Sequence, residues 1–190
     1  MKAYDFDQTI YNGDSTRDFY FYCLKKYPQI MKYLPMTLIH AIKFGVGIMS
    51  KTKFKEKFYI FLKSVPDIDL AVEDFWKSHE KNIKEWYIAQ KSEEDLIISA
   101  SPEFLLKPIC EKLGAKLIAS RVDKFTGKTD GENCWGEEKV RRFHEAGGGK
   151  IEEFYSDSLS DTPMAYLAEK AILVKGNKLE EFRLKQDSAK

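Results

Sequence analysis

Two carboxylates one residue apart stand at the head of this chain, in Tyr4-Asp5-Phe6-Asp7-Gln8-Thr9. In an extended segment alternate side chains share a face, so Asp5 and Asp7 start on the same side. Like charges that close repel, and a fold keeps both ionised only where a cation or a reaction uses them. A hard divalent ion such as Mg²⁺ meets that need, because it takes oxygen ligands and is held by one or two carboxylates with phosphate and water. The plain alternative is a solvated acidic turn, and D-x-D-x-T alone does not choose between the two.

Three later segments bear on that choice. Asp95-Leu96-Ile97-Ile98-Ser99-Ala100-Ser101 is a short apolar run ending in hydroxyls, which reads as a buried parallel strand with Ser99 at its tip. Pro102 then stands where a helix begins, with Ser101 as its N-cap. Ile151-Glu152-Glu153-Phe154-Tyr155 reads as another strand, running into Ser156-Asp157-Ser158-Leu159-Ser160-Asp161. Between these lies Gly136-Glu137-Glu138-Lys139-Val140, the opening turn of a helix.

In order, the chain offers D-x-D-x-T, an apolar strand ending in Ser, a lysine at a helix start, and an apolar strand ending in D-x-x-x-D. This resembles the four motifs of the haloacid dehalogenase superfamily, and within it the phosphoserine-phosphatase-like branch. That branch carries a small helical cap inserted after the first motif. The resemblance runs from Lys2 to about Val174.

Strand-like runs at residues 95–100, 116–120, 151–156 and 171–174 alternate with helices starting near Pro102, Glu137 and Asp161. Such alternation predicts a parallel sheet with right-handed crossovers and helices on both faces. With residues 2–5 as its central strand, the expectation is an α/β fold with a Rossmann-like core, whose ligands bind at the carboxyl ends of the strands. Gly127-Lys128-Thr129-Asp130-Gly131 predicts a small hairpin after Val122. The polar stretch 179–190 reads as a final, fraying helix.

Residues 14–90 show no strand signal, while Phe19, Tyr22, Cys23, Phe54, Phe58, Ile60 and Leu62 recur at helical spacing. The predicted division is a core of residues 1–13 and 91–190 with an all-α cap of residues 14–90. Trp76 and Trp86 are expected in the cap interior, while Trp135, in a Gly-rich stretch just before Lys139, is left open, with the border of the active site as one alternative. The mostly apolar stretch 34–49 is shorter than the ~18 to 20 residues of a membrane span and is interrupted by His40 and Lys43. A buried cap helix is the expectation, and a helix lying on lipid is the alternative. Nine lysines face one acid, Glu56, between Lys25 and Lys63, which favours the alternative and also suits an acidic substrate.

Composition sets the remaining bounds. A 43% hydrophobic content supplies a real interior, and 32% charge argues against disorder. A net charge of +1 excludes a general nucleic-acid binder. Cys23, Cys110 and Cys134 are scattered and odd in number, so neither a disulfide framework nor a zinc site is expected. His40, His79 and His144 show no ligand spacing, and Gly147-Gly148-Gly149 reads as a connection. Met1 leads straight into the first motif, which points to a cytoplasmic protein without a signal peptide.

The resemblance implies a Mg²⁺-dependent phosphatase. Asp5 is implied as the nucleophile that attacks phosphorus, and Asp7 as the acid and base. The metal is implied to sit on the side chains of Asp5 and Asp157 and the main-chain carbonyl of Asp7. Asp161 is implied to orient metal-bound water or Lys139, while Thr9, Ser99 and Lys139 shape or bind the phosphate site. Two positions depart from the family pattern: Gln8 and Ser156 stand where small residues, often Gly, are common. Asp14 matches the acid that grips the substrate amine in phosphoserine phosphatases, but no arginine occurs between Arg17 and Arg121 to grip its carboxylate. A small phosphorylated metabolite is therefore the expected substrate. A lipid-phosphate headgroup at a membrane surface and a non-catalytic phosphate-binding module remain the alternatives, with membrane contact not favoured.

Overall fold

The structure, a computed structural model, describes residues 1–183. Strand β1 (Lys2–Tyr4) is followed by α1 (Ser15–Lys26), α2 (Leu34–Gly45) and α3 (Lys51–Phe58). Helices α4 (Ile68–His79) and α5 (Glu85–Gln90) then lead to β2 (Leu96–Pro102). The pattern α6 (Glu103–Leu113), β3 (Lys116–Ser120), α7 (Glu137–Glu145) and β4 (Ile151–Ser156) follows. A short α8 (Thr162–Ala165) and the strands β5 (Ala168–Lys175) and β6 (Lys178–Glu181) complete the described chain.

The six strands form one sheet in the order β3-β2-β1-β4-β5-β6. The first five run parallel, and β6 turns back antiparallel on β5. The predicted Rossmann-like α/β core is therefore present, with β1 between β2 and β4 as expected. Alternation along the strands separates two cores. Tyr4, Ile97, Tyr155 and Ile172 pack with Leu106 and Ile109 of α6 on one face. Ala3, Ile98 and Phe154 pack with Phe143 of α7 and Met164 of α8 on the other. The order in which strands are added reverses between β1 and β4, which opens a crevice beyond their carboxyl ends.

The elements from Asp14 to Gln90 are helical, and they share one buried cluster with the first face of the sheet. Both tryptophans pack on aromatic residues of this stretch, Trp76 on Phe75 and Trp86 on Tyr87, and both also reach beyond it. Trp76 is buried against Phe6 and Tyr11, and its Nε1 donates to the Leu105 carbonyl at 2.7 Å. Trp86 stacks on Tyr155 with ring centroids 5.5 Å apart. The hairpin after Val122 forms through a Val122–Thr129 bridge. Its Gly127 has φ +73°, and a Cβ there would meet the Tyr59 carbonyl oxygen at 2.7 Å, so only glycine lets the hairpin lie against the helical segment.

Two expectations are corrected. The apolar stretch 34–49 does form a helix, α2, but the helix buries none of its residues. Leu38, Ile42 and Val46 are 63%, 59% and 63% exposed. A Phe44–Phe54 ring stack ties it to α3, Thr37 bonds back to the carbonyl of the N-cap residue Tyr33, and among the described residues no layer covers its outer side. The polar tail begins as β6, an edge strand whose backbone pairing with β5 does not depend on apolar residues; the rest of that predicted helix, residues 184–190, lies outside the described residues.

Candidate active site

The site grows from the end of β1. The Asp5 amide still donates to the Tyr155 carbonyl at 2.8 Å, so Asp5 keeps strand register while its side chain reaches past the sheet edge. The loop then turns sharply: the amides of Ile10 and Tyr11 return to the Phe6 carbonyl. Gln8 sits at φ +58°, a conformation that glycine reaches without strain, which explains in physical terms why a small residue is common there. Lys84 holds the strained turn, its ammonium donating to the Gln8 carbonyl at 2.5 Å and to the Gly176 carbonyl at 2.6 Å.

That turn aims Asp7 at the start of α1. Asp7 Oδ1 accepts from the Ser15 amide at 2.6 Å, and Oδ2 accepts from the Ser101 hydroxyl at 2.5 Å. Burial, reinforced by the charge of Asp14, raises the Asp7 carboxyl to about 6 against these hydrogen bonds. A carboxyl so placed holds a proton much closer to neutral pH than an exposed one. Asp14 itself caps α1, accepting from the Arg17 amide at 2.8 Å.

Ser101 was expected to cap α6, but β2 continues through Pro102 and leaves Ser101 buried with its hydroxyl on Asp7. Thr16 also shares a 2.9 Å contact with the Ser101 hydroxyl. Ser99 lies two residues earlier, and its hydroxyl accepts from the Ser101 amide at 3.1 Å.

The opposite wall comes from α7 and the end of β4. Lys139 is 1% exposed, and its Nζ lies 2.7 Å from both Asp5 Oδ1 and Asp161 Oδ2. Burial disfavours the Lys139 charge, but the two carboxylates outweigh it and hold the lysine above its ordinary range. Asp5 is raised to about 7 by burial, opposed by Lys139 and assisted by Asp161. Ser156, in place of the usual small residue, donates to Asp161 Oδ2 at 2.7 Å. Thr9 is fully buried: its hydroxyl accepts from the Asp157 amide at 2.9 Å and donates to Asp157 Oδ1 at 3.4 Å. It fixes Asp157 and does not line the cavity, so its contact is with a carboxylate rather than with bound phosphate.

Asp5, Asp7, Asp14, Ser99, Lys139, Asp157 and Asp161 line one cavity of about 530 Å³. Its remaining wall is α3, whose Lys51 and Lys55 face inward one helical turn apart. Lys55 Nζ donates to the Ala100 carbonyl at 2.7 Å and to Asn133 Oδ1 at 2.8 Å. Lys51 Nζ stands 4.2 Å from the centroid of Trp135, which borders the cavity. Thr52 donates to Glu132 and Thr129 donates to Glu56, latching α3 to the loop before α7. Sequence reading missed Lys51 and Lys55 because each is one lysine among many; their i, i+4 spacing was the available signal.

The donor set suits a hard cation. Every candidate ligand is oxygen, and burial raises Asp157 as well as Asp5, a cost that a bound cation relieves. Asp161 Oδ1 is buried with no partner, an acceptor left for a metal-bound water. Among the described residues no three His, Cys, Asp or Glu side chains form a preassembled cage. Magnesium does not need one, since it keeps several waters and takes one or two carboxylates.

Comparison with known proteins places the chain. The model of the haloacid dehalogenase-like hydrolases matches residues 3–166. Protein CicA of Caulobacter vibrioides is 32% identical over 87 residues, which span 42% of this chain and 39% of CicA, well under two thirds of that relative's length. Among solved structures, a protein of unknown function from Bordetella pertussis Tohama I superposes with TM-score 0.74 at 19% identity, over 91% of this chain and 88% of the other. A phosphoserine phosphatase captured as a phospho-aspartyl intermediate analogue gives TM-score 0.53 at 22% identity, over 90% and 84%. These structural likenesses are likenesses of fold. The family match covers the strand ends that carry Asp5, Ser99 and Asp157 and the helix that carries Lys139, and the chain belongs to the haloacid dehalogenase-like hydrolases.

Proposed function

We propose that this hydrolase is a Mg²⁺-dependent phosphatase that cleaves a phosphomonoester of a small molecule through an aspartyl-phosphate on Asp5. The carrying observation is the convergence of Asp5, Lys139 and Asp161 through two 2.7 Å contacts in a cavity that also holds Asp7, Ser99 and Asp157. A carboxylate is a competent nucleophile toward phosphorus, and the structural neighbour captured as a phospho-aspartyl analogue supports the same assignment.

In this reading an Asp5 oxygen attacks phosphorus and the bond to the ester oxygen breaks. Asp7 gives its proton to that oxygen, and the alcohol leaves. Asp7 then takes a proton from water as the water attacks phosphorus, the Asp5–phosphorus bond breaks, and phosphate is released. Ser99 and Lys139 donate to the phosphoryl oxygens as their charge redistributes, and the Asp161 contact keeps Lys139 in place. Mg²⁺ would be held by the carboxylates of Asp5 and Asp157 and the main-chain carbonyl of Asp7. When bound it supplies positive charge between two anions that otherwise repel.

Residues 1–13 and 91–190 are proposed as the catalytic core and residues 14–90 as the cap, with α3 as the part that closes the cavity. Cys23, Cys110 and Cys134 are free and buried, which suits a reducing, cytoplasmic compartment. Hydrolysis of p-nitrophenyl phosphate, with Mg²⁺ and after chelation, tests the reading. Turnover that needs Mg²⁺ and disappears in Asp5→Asn supports it. Phosphate binding without turnover would leave a binding module instead.

A further inference from the structure

We infer that α2, with the lysines beside it, docks this protein onto an anionic lipid bilayer. Among the described residues, eight of the eighteen exposed large hydrophobic side chains fall between Leu34 and Ile48, and Ile48 is 77% exposed. Exposed apolar residues scattered singly need no explanation, but a contiguous helix of them marks a contact surface. The helix spans twelve residues, about 18 Å by helical rise, against a hydrocarbon core of about 30 Å. No helix among the described residues is long and apolar enough to cross a membrane. A helix of this kind lies along the interface.

Charge complementarity selects lipid as the occupant. Lys43 lies on α2, and Lys53 and Lys57 lie on α3, which packs against α2 through the Phe44–Phe54 stack. All three lysines are exposed, and none has a carboxylate partner among the described residues. Some lysines elsewhere on the surface pair, as Lys26 with Asp74 and Lys124 with Asp69, and others such as Lys107 and Lys116 do not, so it is the apolar helix beside them that sets these three apart. Neither α2 nor the loop to α3 contains an acid. A second copy of the chain packed two-fold on this face would set lysine against lysine. An anionic headgroup layer satisfies both the apolar and the cationic groups.

The two lysine rows of α3 give the surface its consequence. Lys51 and Lys55 point into the cavity, whereas Lys53 and Lys57, about 200° away around the helix, point outward. Docking through α2 and the outer row would set α3 between the lipid surface and the cavity, leaving the two about one helix diameter apart. The substrate class is then a phosphomonoester carried at that surface. This last step rests on the phosphatase reading; the docking itself does not.

Sedimentation with vesicles separates the two. The purified chain is mixed at low ionic strength with phosphatidylcholine vesicles, or with phosphatidylcholine containing phosphatidylglycerol. It is expected to pellet only with the second, and salt should release it as the Debye length shortens. Leu38→Ser with Ile42→Ser, and separately Lys43→Glu with Lys53→Glu, should each weaken binding by roughly tenfold or more. Turnover of soluble p-nitrophenyl phosphate should stay at the parent level, which checks folding and reads the catalytic proposal independently. A parent that stays in the supernatant overturns docking. So does binding that survives both double variants, or a concentration-dependent dimer that buries α2.

Discussion

Lys139 Nζ lies 2.7 Å from Asp5 Oδ1, across 134 residues of chain. The same nitrogen lies 2.7 Å from Asp161 Oδ2, so one buried ammonium ties the end of β1 to the exit of β4. Three charges share this buried site, two negative and one positive.

Removing the ammonium leaves two buried carboxylates without their partner. Lys139→Ala is expected to lose about 3–5 kcal/mol of stability. Urea unfolding measures the loss. Turnover should fall with it, and Lys139→Arg should recover part of the stability while leaving turnover low, because the larger fork does not fit two contacts made by one nitrogen.

Thr9 separates two roles that the sequence leaves together. Its hydroxyl bonds the amide and carboxylate of Asp157 and lies outside the cavity lining. Thr9→Val should therefore weaken activation by Mg²⁺ by roughly 10–100-fold, as lost partners of metal ligands do. At saturating Mg²⁺ the KM for substrate should stay near the parent value. A raised KM with unchanged Mg²⁺ dependence would return Thr9 to the phosphate site.

Much of this arrangement is legible in the chain, and the exceptions have physical causes. Strand ends could be placed because apolar runs stop at Ser99 and Ser156, and β1 could be set at the centre because Asp5 must reach the same crevice as Asp157. The environment of α2 could not, since its apolar residues spread beyond one face and Thr37, His40 and Lys43 alone do not say which side meets protein. Ser101 was assigned to a cap because local hydroxyl-proline spacing favours one; the extra residues of β2 overrode that signal. Lys55 was hidden by its neighbours, and only the fold shows which lysines of α3 turn inward.

Lys55 also carries a pH dependence. Burial lowers its ammonium to about 8, helped by Lys51 and opposed by Asp7, Asp14 and Cys134. Between about 8 and the ordinary lysine value near 10.5, the unfolded chain holds a proton that the folded one has lost. Stability contributed by this group therefore rises with pH across that window. Activity moves the other way: kcat/KM should fall as pH passes about 8, where the inward charge is lost. Lys55→Met should raise KM and abolish that alkaline limb. A limb that persists in the variant assigns the titration elsewhere.

The nucleophile is tested most directly by catching its covalent product. The enzyme is mixed with p-nitrophenyl phosphate and Mg²⁺, quenched in acid within a turnover, digested and analysed by mass spectrometry. The peptide that carries Asp5 should gain one phosphoryl group, located on Asp5, and Asp5→Asn should show neither adduct nor turnover. Turnover without any adduct, or an adduct on another residue, would contradict covalent catalysis by Asp5.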